Sequence, residues 1–369
     1  MNILYITNHL NIGGVTSYVL TLATGLKKKG HNIYIASSGG VLLPKFIEEG
    51  INYIPIPIKT KKEVGPKILA CMFKLSKFAR HNEIDLVHSN SRTTQVLADL
   101  LSKKTGVLHI STCHGFFKRR FFRRLFPCWG QKVIAISQQV KDHLMADFKV
   151  EEKNIVVIHN GINIAKFKIQ DPKYKIEVKR ALGLGEGPAI GIVARLSDVK
   201  GHKYLIEAMK EVLASQPRVQ LLIVGEGKEK KKLLKQVSSS GISNNVFFIP
   251  EVNDTRDVLP AMDIFVMPSL KEGLGLALME AMASGLAVVG SNIGGIKTLI
   301  KSGVNGLLVE QADVKGISKA ILELLENPEK ASALGRAARD FISENFSQEE
   351  MVLETEKMYL ECLNLKIGN

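Results

Sequence analysis

The chain has 369 residues, of which 45% are hydrophobic and 23% are charged, so it can bury two cores and does not have the composition of a disordered protein. Its four cysteines (Cys71, Cys113, Cys128 and Cys362) form no Cys-x-x-Cys pair, which predicts reduced thiols and argues against a disulfide framework or a zinc site. Because no apolar run reaches the length of a membrane span and the first residues read as a strand, not a signal peptide, we expect a cytoplasmic protein.

The net charge of +14 is concentrated in the first half of the chain. Residues 1–165 hold 23 Lys and Arg against 10 Asp and Glu, whereas residues 166–369 hold 27 against 26. This asymmetry indicates an anionic partner for the first half, which could be a membrane surface, nucleic acid or an acidic acceptor. A basic surface kept for solubility is the alternative.

The first half alternates short apolar runs with longer amphipathic runs, which predicts a parallel sheet covered by helices on both faces. The predicted strands are residues 2–7, 32–37, 84–88, 107–112, 132–137 and 155–159. The predicted helices are residues 15–29, 67–81, 93–103 and 138–147.

The second half repeats this pattern after a segment rich in charge, Gly and Pro, residues 165–188, which is the predicted linker. The predicted strands are residues 189–194, 220–224, 245–249, 263–267, 287–290 and 306–309. The predicted helices are residues 203–215, 228–239, 317–326, 329–344 and 349–363. The alternation predicts two doubly wound α/β domains whose strand carboxyl ends face a cleft.

Two glutamates frame the most informative motif, Glu272-Gly-Leu-Gly-Leu-Ala-Leu-Met-Glu280. A strand, a glycine loop and a helix in this order place Glu272 in the loop and Glu280 inside the helix, so both can face one pocket. Backbone N–H groups at the start of the helix, from Gly273 through Leu274 and Gly275 to Leu276, suit an anionic phosphate. Carboxylates accept hydrogen bonds from vicinal hydroxyls, so the motif predicts a nucleotide-sugar site. The alternative is an amphipathic helix with two solvated glutamates.

Two cations, Arg195 and Lys200, follow the predicted strand at 189–194 and precede a helix. Arginine offers a bidentate fork and lysine a compact charge, so the pair suits a diphosphate and would stabilise its departure. Two surface cations beside a loop would look the same in sequence.

Three further features also lie at predicted strand ends. Gly13-Gly14 and Gly225-Glu226-Gly227 would allow close backbone approach to a ligand, although each could be a simple turn. His114 could hydrogen-bond a sugar hydroxyl or transfer a proton, although a lone histidine is often structural. The sequence has no Asp-x-Asp, no metal-ligand spacing, no phosphate-loop motif and no serine nucleophile elbow.

A basic and aromatic segment occupies residues 116–126, with five cations and five phenylalanines. Such a segment can lie in a lipid interface or bind single-stranded nucleic acid. The structural alternative is a buried helix with snorkelling cations. The predicted membrane or acceptor patch consists of Phe117, Lys118, Arg119, Arg120, Phe121, Arg123 and Arg124.

Taken together, these motifs resemble family 4 of the retaining glycosyltransferases, which have the two-domain GT-B fold. The resemblance runs over almost the whole chain and includes the Ile158-His-Asn-Gly161 and Gly294-Gly295 segments. It implies that residues 1–165 bind the acceptor, that residues 166–345 bind the donor, and that residues 346–369 form a helix crossing back to the first domain.

The resemblance also implies a role for each motif. Arg195 and Lys200 would bind the donor diphosphate. Glu272 would lie near the transferred sugar, Glu280 would hold the ribose diol, and His114 would contact the sugar at the reacting centre. Remaining donor contacts would come from Gly14, Gly225, Glu226, Val252, Gly273, Leu274, Gly275 and Leu276. The family usually needs neither metal nor cofactor.

Three positions depart from the family pattern. Leu274 replaces a common aromatic residue, Pro250 replaces a glycine ahead of Val252, and Lys297-Thr298 replaces Pro-Glu. These changes bear on the preference for a base and on fine donor geometry.

The sequence thus predicts a hexosyltransferase that moves a sugar from a UDP- or GDP-linked donor to a lipid-linked or polysaccharide hydroxyl. We expect this reaction at the inner face of the membrane, without a nucleic-acid partner. A catalytically silent subunit of the same fold that binds a nucleotide or a partner at the membrane is the alternative, and a nucleic-acid-binding protein is the third.

Overall fold

A computed structural model describes residues 1–59, 63, 65–119, 123, 125–167 and 172–367. The chain divides into two compact units. Unit 1 comprises Met1–Gly161 together with Gln348–Asn369, and unit 2 comprises Ile162–Ser347. Across the described ranges, no helix is both long enough and apolar enough to cross a bilayer.

Unit 1 is built on a parallel sheet with the strand order β3-β2-β1-β4-β5-β6-β7. Its strands are β1 (Asn2–Ile6), β2 (Asn32–Ser37), β3 (Asn52–Pro55), β4 (Leu86–Ser89), β5 (Leu108–Cys113), β6 (Lys132–Ala135) and β7 (Ile155–Val157). Its helices in the described ranges before residue 162 are α1 (Gly14–Lys28), α2 (Leu43–Glu48), α3 (Pro66–His81), α4 (Arg92–Thr105) and α5 (Gln138–Phe148). The order reverses between β1 and β4, so the loops after these strands diverge and leave a crevice at their carboxyl ends.

Unit 2 repeats the design with the strand order β10-β9-β8-β11-β12-β13, again all parallel. Its strands are β8 (Ala189–Val193), β9 (Gln220–Val224), β10 (Val246–Ile249), β11 (Ile264–Met267), β12 (Ala287–Ser291) and β13 (Leu307–Val309). Its described helices are α6 (Pro172–Ala181), α7 (His202–Ser215), α8 (Lys230–Ser239), α9 (Leu276–Ala283), α10 (Ile296–Leu299), α11 (Val314–Glu326) and α12 (Pro328–Asn345). Here the order reverses between β8 and β11.

The sheets are hydrophobic because helices cover both faces. In unit 1, one face packs Ile3, Tyr5 and Leu22 into a core, and the other packs Leu4, Ile6 and Leu75. The alternation of Ile3, Leu4, Tyr5 and Ile6 between the two cores follows the two-residue period of a strand.

The last helix, α13 (Gln348–Ile367), packs on α1 and buries Val352 and Tyr359 in the core of unit 1. Gly25 permits this contact, because a Cβ atom there would lie 2.3 Å from Val352 Cγ2. The predicted fold class is therefore confirmed, including the return of the chain to the first unit.

Four elements differ from the sequence prediction, one of which is the short helix α10 (Ile296–Leu299), which was not predicted. Helix α2 and strand β3 were not predicted, since both are short and each contains a proline (Pro44 and Pro55). The predicted linker at 165–188 contains helix α6, which begins at Pro172 and presents Lys175 and Lys179 to Asp263. The predicted linker is therefore partly helical, which its content of charged residues, Gly and Pro did not reveal.

Candidate functional site

The loops after β8 and β11 lie side by side, because these two strands are neighbours at the reversal of the sheet of unit 2. The β8 loop carries Arg195 and Lys200, and the β11 loop carries Glu272. Backbone contacts hold the loops together, since Leu270 N–H donates to the carbonyl oxygen of Val199 at 2.7 Å. Two sequence motifs separated by more than 70 residues thus meet at a single sheet edge.

Lys200 and Glu272 form an ion pair in which Nζ of the lysine donates to Oε2 of the glutamate. Both side chains are mostly buried, with exposed fractions of 21% and 13%. The pair places an ammonium group beside a carboxylate, so the site offers one group for phosphate oxygens and one for hydroxyls.

Gly201 fixes the approach of the two loops. Its φ of 74° lies in the left-handed region, and a Cβ atom there would stand 1.8 Å from the carbonyl oxygen of Pro268. Only glycine satisfies both conditions without displacing backbone. The residue after Lys200 therefore sets how closely the β8 loop lies against the β11 loop.

Arg195 is exposed on the same loop. Its neighbour Leu196 pairs with the loop after β9, donating to the carbonyl oxygen of Glu226 at 2.9 Å. Cβ atoms on Gly225 and Gly227 would lie 2.2 Å from the carbonyl oxygens of Ala194 and Leu196. These glycines therefore serve the close packing of the two loops. The Glu226 carboxylate accepts from Lys230 at 2.6 Å, at the start of α8.

The glycine turn at 273–275 leads directly into helix α9, with Gly275 at a φ of 99°. Gly295 abuts this turn, since a Cβ atom there would lie 2.1 Å from the carbonyl oxygen of Gly273. Leu274 is only 1% exposed, so its side chain belongs to the core and the residue can offer a ligand only its backbone.

Glu280 lies on α9, partly buried, next to the loop after β10. Burial raises the pKa of its carboxyl group to about 7; a hydrogen bond from Thr255 opposes this rise and the Asp254 carboxylate adds to it. The sequence reasoning missed Asp254 and Thr255, because only the folding of the edge strand β10 brings them to Glu280. Val252 is half-buried in the same loop.

In unit 1, His114 follows β5 and stands beside Asn90, which follows β4. His114 Nε2 lies 3.1 Å from Asn90 Oδ1. Because a carboxamide oxygen only accepts, His114 carries its proton on Nε2 and leaves Nδ1 as an acceptor. Burial lowers the pKa of His114 to about 3, so the ring is neutral at physiological pH and can bind hydroxyls but cannot supply a positive charge.

A buried network supports His114 from below. The His114 ring contacts the edge of Tyr18 at a centroid distance of 4.7 Å, and the Tyr18 hydroxyl lies 3.1 Å from Thr112 Oγ1. Thr112 also meets His88 Nε2 at 2.7 Å, and His88 Nδ1 bonds the Tyr359 hydroxyl of α13. No sequence pattern signals these contacts, which join residues up to 271 positions apart.

Gly13 and Gly14 lie at the start of α1, after β1. Gly13 has a φ of 151°, and a Cβ atom there would meet nothing within 4 Å. The space above this turn is therefore open, and a role of Gly14 in ligand binding stays a prediction.

Only some of the described side chains of the predicted patch at 116–126 are exposed to solvent. Arg123 is 5% exposed and stacks on the Phe117 ring at 4.0 Å, with Trp129 at 5.7 Å. It is therefore a buried cation in an aromatic cage, and the interpretation as an exposed patch residue is wrong. Lys118 and Arg119 are exposed, and Arg119 pairs with Asp147. Arg120, Phe121 and Arg124 lie outside the described residues.

Two family models account for most of the chain. Residues 12–166 match the model described as Glycosyltransferase Family 4, and residues 175–341 match the model described as Glycosyl transferases group 1. The chain belongs to glycosyltransferase family 4. The predicted family and enzyme class are thereby confirmed.

Relatives of this glycosyltransferase extend over nearly its full length. It is 24% identical to N-acetyl-alpha-D-glucosaminyl L-malate synthase of Bacillus anthracis, over 97% of this chain and 96% of that one. It is 25% identical to UDP-Gal:alpha-D-GlcNAc-diphosphoundecaprenol alpha-1,3-galactosyltransferase of Escherichia coli, over 87% of each chain. The fold matches the Anabaena protein HepE in complex with UDP-glucose with a TM-score of 0.88 at 21% identity, covering 98% of this chain and 100% of that one.

Proposed function

We propose that the enzyme transfers a hexose from a UDP- or GDP-linked sugar to a hydroxyl group of a lipid-linked or envelope polysaccharide acceptor. The proposal includes retention of the anomeric configuration and independence from metal ions. The observation that carries it is the Lys200–Glu272 pair at the reversal point of the unit 2 sheet, where open α/β sheets bind their ligands.

The donor would bind with its diphosphate against Arg195, Lys200 and the amides that open α9. The first N–H groups of this helix have no acceptor within it, and the helix dipole favours an anion there. In this arrangement Lys200 exchanges part of its contact with Glu272 for phosphate oxygens. Glu272 then turns to hydroxyls of the transferred sugar, and Glu280 accepts from the ribose diol.

The chemical step breaks the bond between the anomeric carbon and the β-phosphate oxygen. The acceptor oxygen forms the new bond on the face that the diphosphate leaves, and its proton passes to the departing phosphate oxygen. Arg195 and Lys200 stabilise the charge that develops on the leaving group. His114 is neutral, so its Nδ1 would accept a hydrogen bond from a sugar hydroxyl while Asn90 holds the other ring nitrogen.

The charge distribution and one relative support the proposed acceptor class. Unit 1 contains most of the basic first half of the chain, and the Escherichia coli relative is named for a diphosphoundecaprenol acceptor. A basic unit would attract such a diphosphate-linked lipid, so we place the reaction at the cytoplasmic face of the membrane, with the enzyme bound peripherally.

The test is a transfer assay on Glu272→Ala. Removing the carboxylate from the sugar site should lower kcat/KM by at least about 100-fold, with an unchanged circular dichroism spectrum. Glu186→Ala is the matched control, because Glu186 is an exposed carboxylate ahead of β8, at the opposite edge of the same sheet. Near-normal turnover of Glu272→Ala would refute the proposed site.

Two further measurements test the finer parts of the proposal. The anomeric proton coupling of the product, measured by nuclear magnetic resonance, should match that of the donor; an inverted coupling would refute retention. Activity should persist in a chelator, whereas full loss restored by Mg²⁺ would refute metal independence. Donor hydrolysis measured without acceptor separates an enzyme from a silent subunit, which would show none.

A further inference from the structure

Helix α3 carries an exposed face that neither the core nor the proposed sugar site uses. Its inner residues Ile68, Met72 and Leu75 pack into the second core of unit 1. Its outer face presents two apolar side chains, with Leu69 43% and Phe73 54% exposed. They are four positions apart, so they stand on the same side of the helix.

Cations surround this apolar pair. Helix α3 holds Lys67, Lys74, Lys77 and Arg80 and no acidic residue, and all four cations are exposed. From the neighbouring helix α4, Lys104 places its Nζ 3.8 Å from the centre of the Phe73 ring. We call Lys67, Leu69, Phe73, Lys77, Arg80 and Lys104 the α3 face.

We propose that the α3 face docks unit 1 on an anionic lipid bilayer, with Leu69 and Phe73 in the interfacial layer and the cations among the headgroups. Helices of this composition bind in the plane of the interface by burying apolar area and attracting anionic lipid. Each Lys or Arg near such a surface adds to the affinity, and the effect falls within a Debye length.

The chemistry of the face favours lipid over nucleic acid. A base would need a free aromatic face to stack on, but the Lys104 ammonium group already occupies one face of the Phe73 ring. Leu69 cannot stack at all, whereas both apolar side chains gain by entering a lipid interface.

A second exposed apolar pair, Leu125 and Phe126, lies beside Pro127 in the same unit. Arg92 links the two regions, donating to Glu63 ahead of α3 and to the carbonyl oxygen of Pro127, each at 2.9 Å. Leu125 and Phe126, 57% and 58% exposed, immediately precede Pro127. Arg92 therefore ties the segment ahead of α3 to this second apolar pair. This inference builds on the proposed membrane location and replaces the predicted 116–126 patch as its main surface.

The test is flotation of the full chain with phosphatidylcholine vesicles, with and without phosphatidylglycerol. Lys77→Gln with Arg80→Gln should lower the partition coefficient on anionic vesicles by about 20- to 30-fold. Leu69→Ser with Phe73→Ser should lower it by about 10-fold. Raised salt should weaken binding of the wild type.

Matched controls separate this face from charge or apolar exposure in general. Lys231→Gln with Lys235→Gln removes the same charge from the exposed side of α8 in unit 2. Leu353→Ser with Leu360→Ser removes similar exposed apolar groups from the acid-rich helix α13. Both pairs should leave binding within about two-fold of the wild type, since neither combines cations with an apolar pair.

Equal losses in the control and α3 variants, or equal binding of the wild type to neutral and anionic vesicles, would overturn the proposal. Loss of RNA binding in the α3 variants, with vesicle binding unchanged, would assign the face to nucleic acid instead. Vesicle binding needs neither donor nor acceptor, so it is separate from the proposed reaction. Donor hydrolysis by the α3 variants should stay at the wild-type rate, because these residues lie outside the sugar site.

Discussion

The Glu280 carboxyl group has a pKa raised to about 7, because burial on α9 penalises its charged form. In the unfolded chain the same carboxyl group is exposed to water and titrates at its ordinary pKa of 4.5. Between these two pH values the folded protein binds the proton and the unfolded chain does not, so the free energy of unfolding falls as the pH rises. Below the lower value both states are protonated, and above the higher value both are ionised.

The size of this effect follows from the gap between the two pKa values. It corresponds to about 3 kcal/mol of unfolding free energy, most of which is lost between roughly pH 4.5 and pH 7. Glu280→Gln keeps the shape of the side chain and cannot ionise, so the free energy of unfolding of this variant should not fall by this amount as the pH rises. Relative to the wild type, the variant should be more stable at pH 8 than at pH 5 by about 2–3 kcal/mol.

The assay is urea unfolding from pH 5 to pH 8, followed by circular dichroism and by hydrogen exchange of peptides from unit 2. Glu186→Gln changes an exposed glutamate of the same unit. Its free energy of unfolding should change with pH as that of the wild type does. A constant difference between Glu280→Gln and the wild type at every pH would refute the assigned burial of this carboxyl group.

Two substitutions test the supports of the site. Tyr359→Phe should lower the free energy of unfolding by about 1–3 kcal/mol, because it leaves the buried His88 Nδ1 without its partner. Denaturation followed by the fluorescence of the single tryptophan, Trp129 in unit 1, measures this change. An unchanged midpoint would contradict the network. Gly201→Ala should lower the affinity for nucleoside diphosphate and destabilise unit 2 by at least about 1–2 kcal/mol, because the added Cβ meets the Pro268 carbonyl oxygen. Gly183→Ala is the control for the conformational cost alone, because Gly183 also has a positive φ but lies in open space. Equal behaviour of these two variants would show that the loop contact does not matter.

The sequence was sufficient for the parts of the fold that depend on local pattern. Strand-length apolar runs such as Gln220–Val224 were predicted with the bounds that the structure has, because a buried parallel strand is apolar on both faces. The positions of Lys200 and Glu272 also followed, since carboxyl ends of parallel strands meet at one edge of the sheet. Their direct ion pair did not follow from any spacing.

Features that depend on distant partners were not predictable. The sequence predicted Arg123 as a surface cation, because no local pattern indicates that Trp129 and Phe148 pack around its guanidinium group. The linker helix α6 is stabilised by Asp263, more than 80 residues away. The raised pKa of Glu280 depends on burial and on Asp254, which belongs to a different loop.

The central claim is that the loops after β8 and β11 bind a nucleoside diphosphate through Arg195 and Lys200. Titration calorimetry with UDP and with GDP measures this directly on the wild type and on Lys200→Ala and Arg195→Ala. We predict that one of the two nucleotides binds the wild type and that each variant binds it at least about 10-fold more weakly, the loss of a charge-assisted contact. Equal affinity in all three proteins, or no binding of either nucleotide to the wild type, would contradict the claim.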